Sequence, residues 1–404
     1  MKKEVVIVGG GYGGLRAIEF LAKDKDIHIT LIDKNPYHYL QTEAYGYIAG
    51  RFDIHEIAID LDKWCSGFKN RVKFVYDEVI SVDYDEQNVS TKSNTTISYD
   101  YLVMANGAKT NFFSFIDGLR ENSFGVKNLE RAHNFRKAFE ELIYKKLQNE
   151  DYDSSAEINL AIGGAGLSGV EVAAEMAKVI DIYSKTIGDR AKAIKIYLID
   201  ASDTILPGMS DYLVTNTKKR LEKLGVNILT SAFINSVDDS NIYFKDGKKL
   251  NYHFMIFTGG IKAPELNNNV SENLNRMNQF IPNKELNIND KINVYAIGDC
   301  VELKDENGNL LPPTAQTAEK SAEYVAKSIR RRIAGDATEY FNADVSGIFI
   351  ALGGKYAVGE MLGFIKIKGY GAYLLKKAIT YAYYIGLRLR INTGYKNRIK
   401  DMTH

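Results

Sequence analysis

The chain has 404 residues, 45% hydrophobic and 25% charged, with a formal net charge of +1. This is the composition of a globular protein of two or three domains whose core needs no disulfide or metal staple, and it argues against a general nucleic-acid binder. The apolar run Ala378 to Leu387 is too short to span a bilayer, and Met1 to Glu4 leads straight into a strand-like run rather than a signal peptide, so the expected compartment is the cytoplasm.

Glu4 to Val8 (EVVIV) reads as a buried parallel strand. It runs into Gly9-Gly10-Gly11-Tyr12-Gly13-Gly14, and helical apolar spacing follows from Leu15 to Ala22. The pattern is strand, GxGxxG turn, helix. Gly9 allows the turn, Gly11 admits a pyrophosphate to the backbone, and Gly14 lets the helix pack on the strand. The helix N-terminus then offers free N–H groups to a diphosphate. A second strand, Ile27 to Ile32, ends in Asp33, 19 residues after Gly14, the spacing of an acid that holds a ribose diol.

Cys65 and Cys300 form no CxxC or CxxxxC pair, and the six histidines show no metal-ligand spacing. Neither dithiol chemistry nor a metal site is expected. Both cysteines read as small buried hydrophobes.

The nucleotide device repeats. Ile158 to Ile162 is a strand, Gly164-Ala165-Gly166-Leu167-Ser168-Gly169 a second GxGxxG, and Val170 to Met176 the opening of a helix. Strand Ile194 to Ile199 ends in Asp200, 31 residues after Gly169. Two such folds imply two dinucleotides. Asp200 accepts from a ribose diol and repels a 2′-phosphate, and no Arg stands at 201–203, which favours NADH over NADPH.

Asn293 to Cys300 forms a further strand ending in Gly298-Asp299. Pro312-Pro313-Thr314-Ala315-Gln316 follows, and then a helical stretch to about Ile333. From Met361 to Lys400 there are nine Lys or Arg (Lys366, Lys368, Lys376, Lys377, Arg388, Arg390, Lys396, Arg398, Lys400) and no acid. Leu375, Ile379, Ala382, Ile385 and Leu389 recur at helical spacing there, with Tyr373, Tyr381, Tyr383 and Tyr384 around them. A basic amphipathic helix with interfacial aromatics lies in a membrane surface, and the plain alternative is a C-terminal helix packed on the core.

These segments, with the strand Tyr99 to Gly107, resemble the flavoproteins with two dinucleotide-binding domains. Within them the chain is similar to the type II NADH dehydrogenases (NADH:quinone oxidoreductases). That closer likeness rests on Asp33 to Tyr39, on Pro312 to Ala318 and on the basic, aromatic C-terminus. The resemblance implies an α/β fold of two Rossmann-like domains, of the pyridine nucleotide-disulfide reductase type, plus a C-terminal membrane-docking segment. The expected units are 1–118 with 283–345 for FAD, 119–282 for NADH, and 346–404 for the membrane.

The implied FAD contacts are Gly9, Gly11, Tyr12, Gly13, Gly14, Asp33, Lys34, Val79, Ala105, Gly107, Gly298, Asp299, Ala315 and Gln316. Those for NADH are Gly164, Gly166, Leu167, Gly169, Glu171, Asp200 and Gly259. Glu171 matches a family glutamate near the nicotinamide, and Gln316 one at the flavin edge or quinone. Each also has a plain reading, Glu171 as a first-turn acid offsetting the helix dipole and Gln316 as a polar helix start. Where the family motif usually continues with a second Gln and often Glu, Lys320 and Ser321 stand here.

The implied activity is transfer of electrons from NADH through FAD to a quinone, at the cytoplasmic face of the cell membrane. A homodimer is left open. The alternatives are a soluble NADH-dependent reductase for another acceptor, a sulfide:quinone oxidoreductase-like enzyme, and a flavoprotein used as a redox-sensing or interaction module. The lack of further cysteines weighs against the sulfide reading.

Overall fold

Strand β1 (Lys3–Val8) buries its last four residues because parallel strands flank it on both sides. The computed structural model describes residues 2–148, 157–187, 193–266, 273–343 and 347–402. Helix α1 (Tyr12–Leu21) turns Leu15, Ala17, Ile18 and Leu21 onto the sheet, and each large side chain so buried contributes about 1.5–3 kcal/mol. β2 (Ile27–Asp33) and β3 (Val72–Tyr76) extend the sheet on one side, and β4 (Tyr101–Met104) lies on the other. The Tyr99 to Gly107 segment keeps strand geometry only over those four residues. At Gly107 the backbone turns to φ +63°.

The chain leaves this unit and returns to it through one antiparallel ribbon, Lys109–Thr110 against Ile261–Lys262. Residues 112, 113, 116 and 119 beyond it pack into the core of the inserted unit. That unit comprises α2 (Leu129–Gln148), β5 (Ile158–Gly163), α3 (Leu167–Ile187), β6 (Ile194–Ile199), α4 (Asp211–Lys223), β7 (Val226–Leu229) and β8 (Phe254–Phe257). Its parallel sheet has the order β7–β6–β5–β8.

β9 (Val294–Ala296) completes the first sheet in the order β9–β4–β1–β2–β3. α5 (Ala315–Ala334) is capped by Thr314, whose hydroxyl accepts from the Thr317 N–H at 3.2 Å, and it stops at Gly335 with φ +81°. Three antiparallel strands follow, β10 (Gly347–Ala351), β11 (Ala357–Met361) and β12 (Ile365–Gly369), and then the long helix α6 (Tyr370–Met402).

α6 runs back across the first unit and crosses the short helix Leu61–Ser66. The crossing is close. A Cβ on Gly394 would lie 2.2 Å from the Ser66 hydroxyl, and one on Gly67 would lie 2.5 Å from the Arg390 carbonyl. Ala372 and Leu387 are buried on the inner face, with Tyr383, Tyr384 and Ile391 packed against the core. Leu374, Ile379, Tyr381, Ile385 and Leu389 stay exposed on the outer face. The exposed stripe thus takes Leu374 where the sequence suggests Leu375, which is half-buried. The side chains of Arg398 and Lys400 lie outside the described residues. No helix among the described residues is long and apolar enough to cross a membrane.

Candidate functional site

The first glycine turn sits at the carboxyl ends of β1 and β4, where open α/β sheets hold their ligands. Gly9 has φ +110°, and a Cβ there would lie 2.2 Å from the Ala105 carbonyl oxygen. A Cβ on Gly14 would lie 1.9 Å from the Gly9 oxygen, whereas around Gly11 nothing stands within 4 Å. Gly9 and Gly14 are therefore required by the turn itself, and Gly11 leaves room for something outside it. Gly13 packs near Ile297, which a Cβ would approach to 3.3 Å.

Asp33 Oδ2 accepts from the Gly10 N–H at 2.6 Å, and its Oδ1 accepts from the Asn35 N–H at 2.7 Å. Burial pushes this carboxyl up, and those two N–H groups pull it back down. Lys34 is exposed, 3.6 Å from Glu78. Val79 is buried at the start of a separate antiparallel strand.

Tyr12 and His38 form an aromatic lid over this turn together with Tyr383 of α6. The Tyr12 and Tyr383 rings stack at 5.0 Å, and the His38 ring meets Tyr12 edge-on at 4.9 Å. His38 Nδ1 lies 2.9 Å from the Gly10 carbonyl and Nε2 3.1 Å from the Tyr383 hydroxyl. The carbonyl can only accept, so Nδ1 carries the proton and Nε2 accepts from Tyr383. Burial drives the His38 pKa down to about 4. The pair Tyr383–His38 spans 345 residues, and no local signal in the sequence announces it.

Gly298 (φ +72°) and Asp299 form the turn after β9, and the Gly298 N–H donates to Ser321 Oγ at 3.2 Å. Asp299 Oδ2 receives the Lys127 ammonium at 2.6 Å, a partner absent from the sequence reading because 172 residues separate them. Gly107 has open space around it, and Ala315 and Gln316 open α5. Lys320, one turn further on, points to solvent. Burial raises the neighbouring Glu319 carboxyl to about 7.

The second turn repeats the first in its atoms. Gly164 has φ +99°, a Cβ on Gly169 would lie 1.8 Å from the Gly164 oxygen, and nothing stands within 4 Å of Gly166. Asp200 Oδ2 accepts from the Ala165 N–H at 2.6 Å and Oδ1 from the Ser202 N–H at 2.8 Å. Leu167 starts α3. Gly259 lies against Gly164, whose Cβ would come within 2.6 Å of it.

Glu171 projects from α3 toward the C-terminal sheet and helix. Its Oε1 accepts from the Ala351 N–H at 2.9 Å and pairs with the Lys376 ammonium. Lys376, counted above with the basic tail, is thereby corrected: its side chain is only 15% exposed, and Glu171 holds its charge inside the body. The two cysteines are both buried. Burial pushes Cys300 up to about 12, and raises Cys65 as well.

The family of pyridine nucleotide-disulphide oxidoreductases matches residues 3–322. The type II NADH:quinone oxidoreductase of Staphylococcus aureus (strain NCTC 8325) is 29% identical over 387 residues, 94% of each chain. That of Staphylococcus epidermidis is 29% identical over 386 residues, again 94% of each chain. The fold is similar to that of NDH2 from Plasmodium falciparum in complex with NADH (TM-score 0.83, 20% identity, 98% of each chain). It is also similar to that of the sulfide:quinone oxidoreductase from Aquifex aeolicus (TM-score 0.81, 20% identity, 96% of this chain and 92% of that one). With that match and two complete dinucleotide turns, the chain belongs to the pyridine nucleotide-disulphide oxidoreductase family.

Proposed function

We propose that this chain takes electrons from NADH and passes them through FAD to a quinone at a membrane surface. One observation carries the reading: two complete dinucleotide cradles stand in one chain that has no paired cysteines to relay electrons. The first cradle suits FAD. Gly11 and the α1 N-terminus take its diphosphate, Asp33 its adenosine ribose, and Gly298 with Asp299 its ribityl-phosphate. Ala105, Gly107, Ala315 and Gln316 lie along the remainder, with Tyr12, Gly13, Lys34 and Val79 around it. FAD, when bound, supplies two-electron acceptor chemistry.

The second cradle suits NADH. Gly164, Gly166, Leu167, Gly169 and Gly259 shape its diphosphate site, and Asp200 turns away a 2′-phosphate. Glu171, paired with Lys376, stands one turn into that helix, where a carboxylate can hold the nicotinamide carboxamide or a proton. The resemblance to curated quinone reductases over nearly the whole chain supports the acceptor. We draw the boundary between the two units at the ribbon near residues 110 and 262. The outer face of α6, with its apolar stripe and Lys/Arg neighbours, fits the cytoplasmic surface of an anionic membrane.

Anaerobic NADH should bleach the flavin of the loaded protein, and a soluble quinone should restore its colour. Full bleaching with no reoxidation by any quinone would overturn the acceptor and leave the NADH half intact. In the same assay Asp200→Ala should lower the NADH preference over NADPH by about tenfold or more.

A further inference from the structure

Glu43, Glu171 and Glu175 gather around two cations, Arg51 and Lys376, where the first unit, the inserted unit and α6 meet. Glu43 is 8% exposed and Glu175 2%. Arg51 reaches Glu175 at 3.0 Å and the Tyr373 hydroxyl at 2.9 Å. Glu175 also accepts from the Gly354 N–H at 3.2 Å. Lys376 pairs with Glu171 and lies 5.2 Å over the Tyr45 ring.

Arg51 and Arg220 lie near Glu175 and Lys376 pairs with Glu171, so Glu43 is left without a bonded cation in a buried place. An unpaired buried charge costs several kcal/mol, roughly, so this carboxyl keeps a proton instead. The partners show why. Glu171 is held by an ammonium and an amide N–H, and Glu175 by a guanidinium and an amide N–H. Both oxygens of Glu175 are taken by donors, Oε1 by Arg51 and Oε2 by the Gly354 N–H, which offsets the upward push of its burial. The Glu43 carboxyl meets two hydroxyls, Tyr45 at 3.4 Å and Thr380. A hydroxyl accepts as readily as it donates, so it serves a neutral carboxyl equally well. Burial pushes Glu43 up, the nearby Lys376 lowers it, and the Glu171 charge raises it again.

The proposed reaction needs such a group. NADH gives up a hydride, while a quinone becoming a quinol gains two electrons and two protons. The hydride accounts for both electrons and one of the hydrogens, so one proton per turnover must come from water. We propose that Glu43, whose chain neighbour Thr42 bonds the Tyr12 hydroxyl of the first cradle at 2.8 Å, holds this proton in reserve and delivers it to the acceptor half of the reaction, an inference that rests on the quinone reading above. Once ionised, its carboxylate is eased by the nearby Lys376, which it shares with Glu171, until water reprotonates it.

The test uses FAD-loaded native protein and Glu43→Gln, a change that keeps shape and removes the proton. At pH 7 the infrared spectrum of the native protein minus that of the variant should show a buried carboxylic-acid carbonyl band, since the band of Glu319 is common to both and cancels. Flavin bleaching by NADH should stay within about twofold, while reoxidation by a soluble quinone slows by about tenfold or more. No native-minus-variant difference band, or unchanged reoxidation, each overturns the proposal. If Glu43→Gln does not load flavin, Glu43→Asp decides: it must keep the band and shift the pH at which the band is lost. Native protein that no quinone reoxidises removes the quinone reading and proton delivery together, and the band alone then reports where the proton sits.

Discussion

A single methyl group tells the glycines of each turn apart. At Gly14 and Gly169 it would strike a backbone oxygen less than 2 Å away, whereas at Gly11 and Gly166 it would enter open space. Alanine at these two pairs should therefore act on different quantities. Gly14→Ala should destabilise the protein by about 1–3 kcal/mol in denaturant melts even without ligand. Gly11→Ala should leave the apoprotein within about 1 kcal/mol of native and weaken FAD binding by at least about tenfold. A Gly11→Ala protein that binds FAD normally would mean the open space is not a diphosphate seat. This distinction was legible in the sequence because the turn, its helix and its acid lie within a few dozen residues of one another. The brace that Asp33 and Asp200 each place on a turn N–H was not, since it depends on side-chain direction rather than spacing.

At the scale of elements, strands and helices of both sheets follow from short apolar runs and glycine punctuation. Their partners across the chain do not. Lys127 meets Asp299, Tyr383 meets His38 and Lys376 meets Glu171 only because packing brings distant segments together. A composition count treats every Lys and Arg of the tail alike, yet α6 turns some inward and some outward. Arg390 lies 4.2 Å over the Phe68 ring, and Arg388 donates to the His55 carbonyl. The outward apolar residues carry the membrane prediction. Ile385→Ser with Leu389→Ser should lower co-sedimentation with anionic vesicles several-fold, and binding of the native protein should fall as salt is raised. Equal sedimentation of native and variant protein would place the contact elsewhere. Gly67→Val should dislodge the same helix from inside, seen as early proteolysis of the tail.

Over the whole molecule, buried ionisable groups set opposing pH trends. His38 is neutral when folded, its pKa depressed from the ordinary 6.5 to about 4. Its share of stability is complete above pH 6.5 and is lost as pH falls through about 4, a loss on the order of 3 kcal/mol. Melts between pH 7.5 and 4.5 should show that fall, and His38→Gln should flatten it. Glu319 runs the other way. Raised from 4.5 to about 7, it favours the fold most at low pH and loses that share as pH rises through 7. Glu319→Gln should therefore melt higher than native protein at pH 8 and gain nothing at pH 4.

The hydroxyl of Tyr383 ends a chain of bonds that begins at the Gly10 carbonyl, so the last helix and the first turn share one thermodynamic cycle. Linkage is reciprocal: by whatever factor a seated helix tightens the turn around its ligand, an occupied turn tightens the helix against the body by the same factor. Filling the nucleotide site and holding the tail in place are thus two readings of one equilibrium.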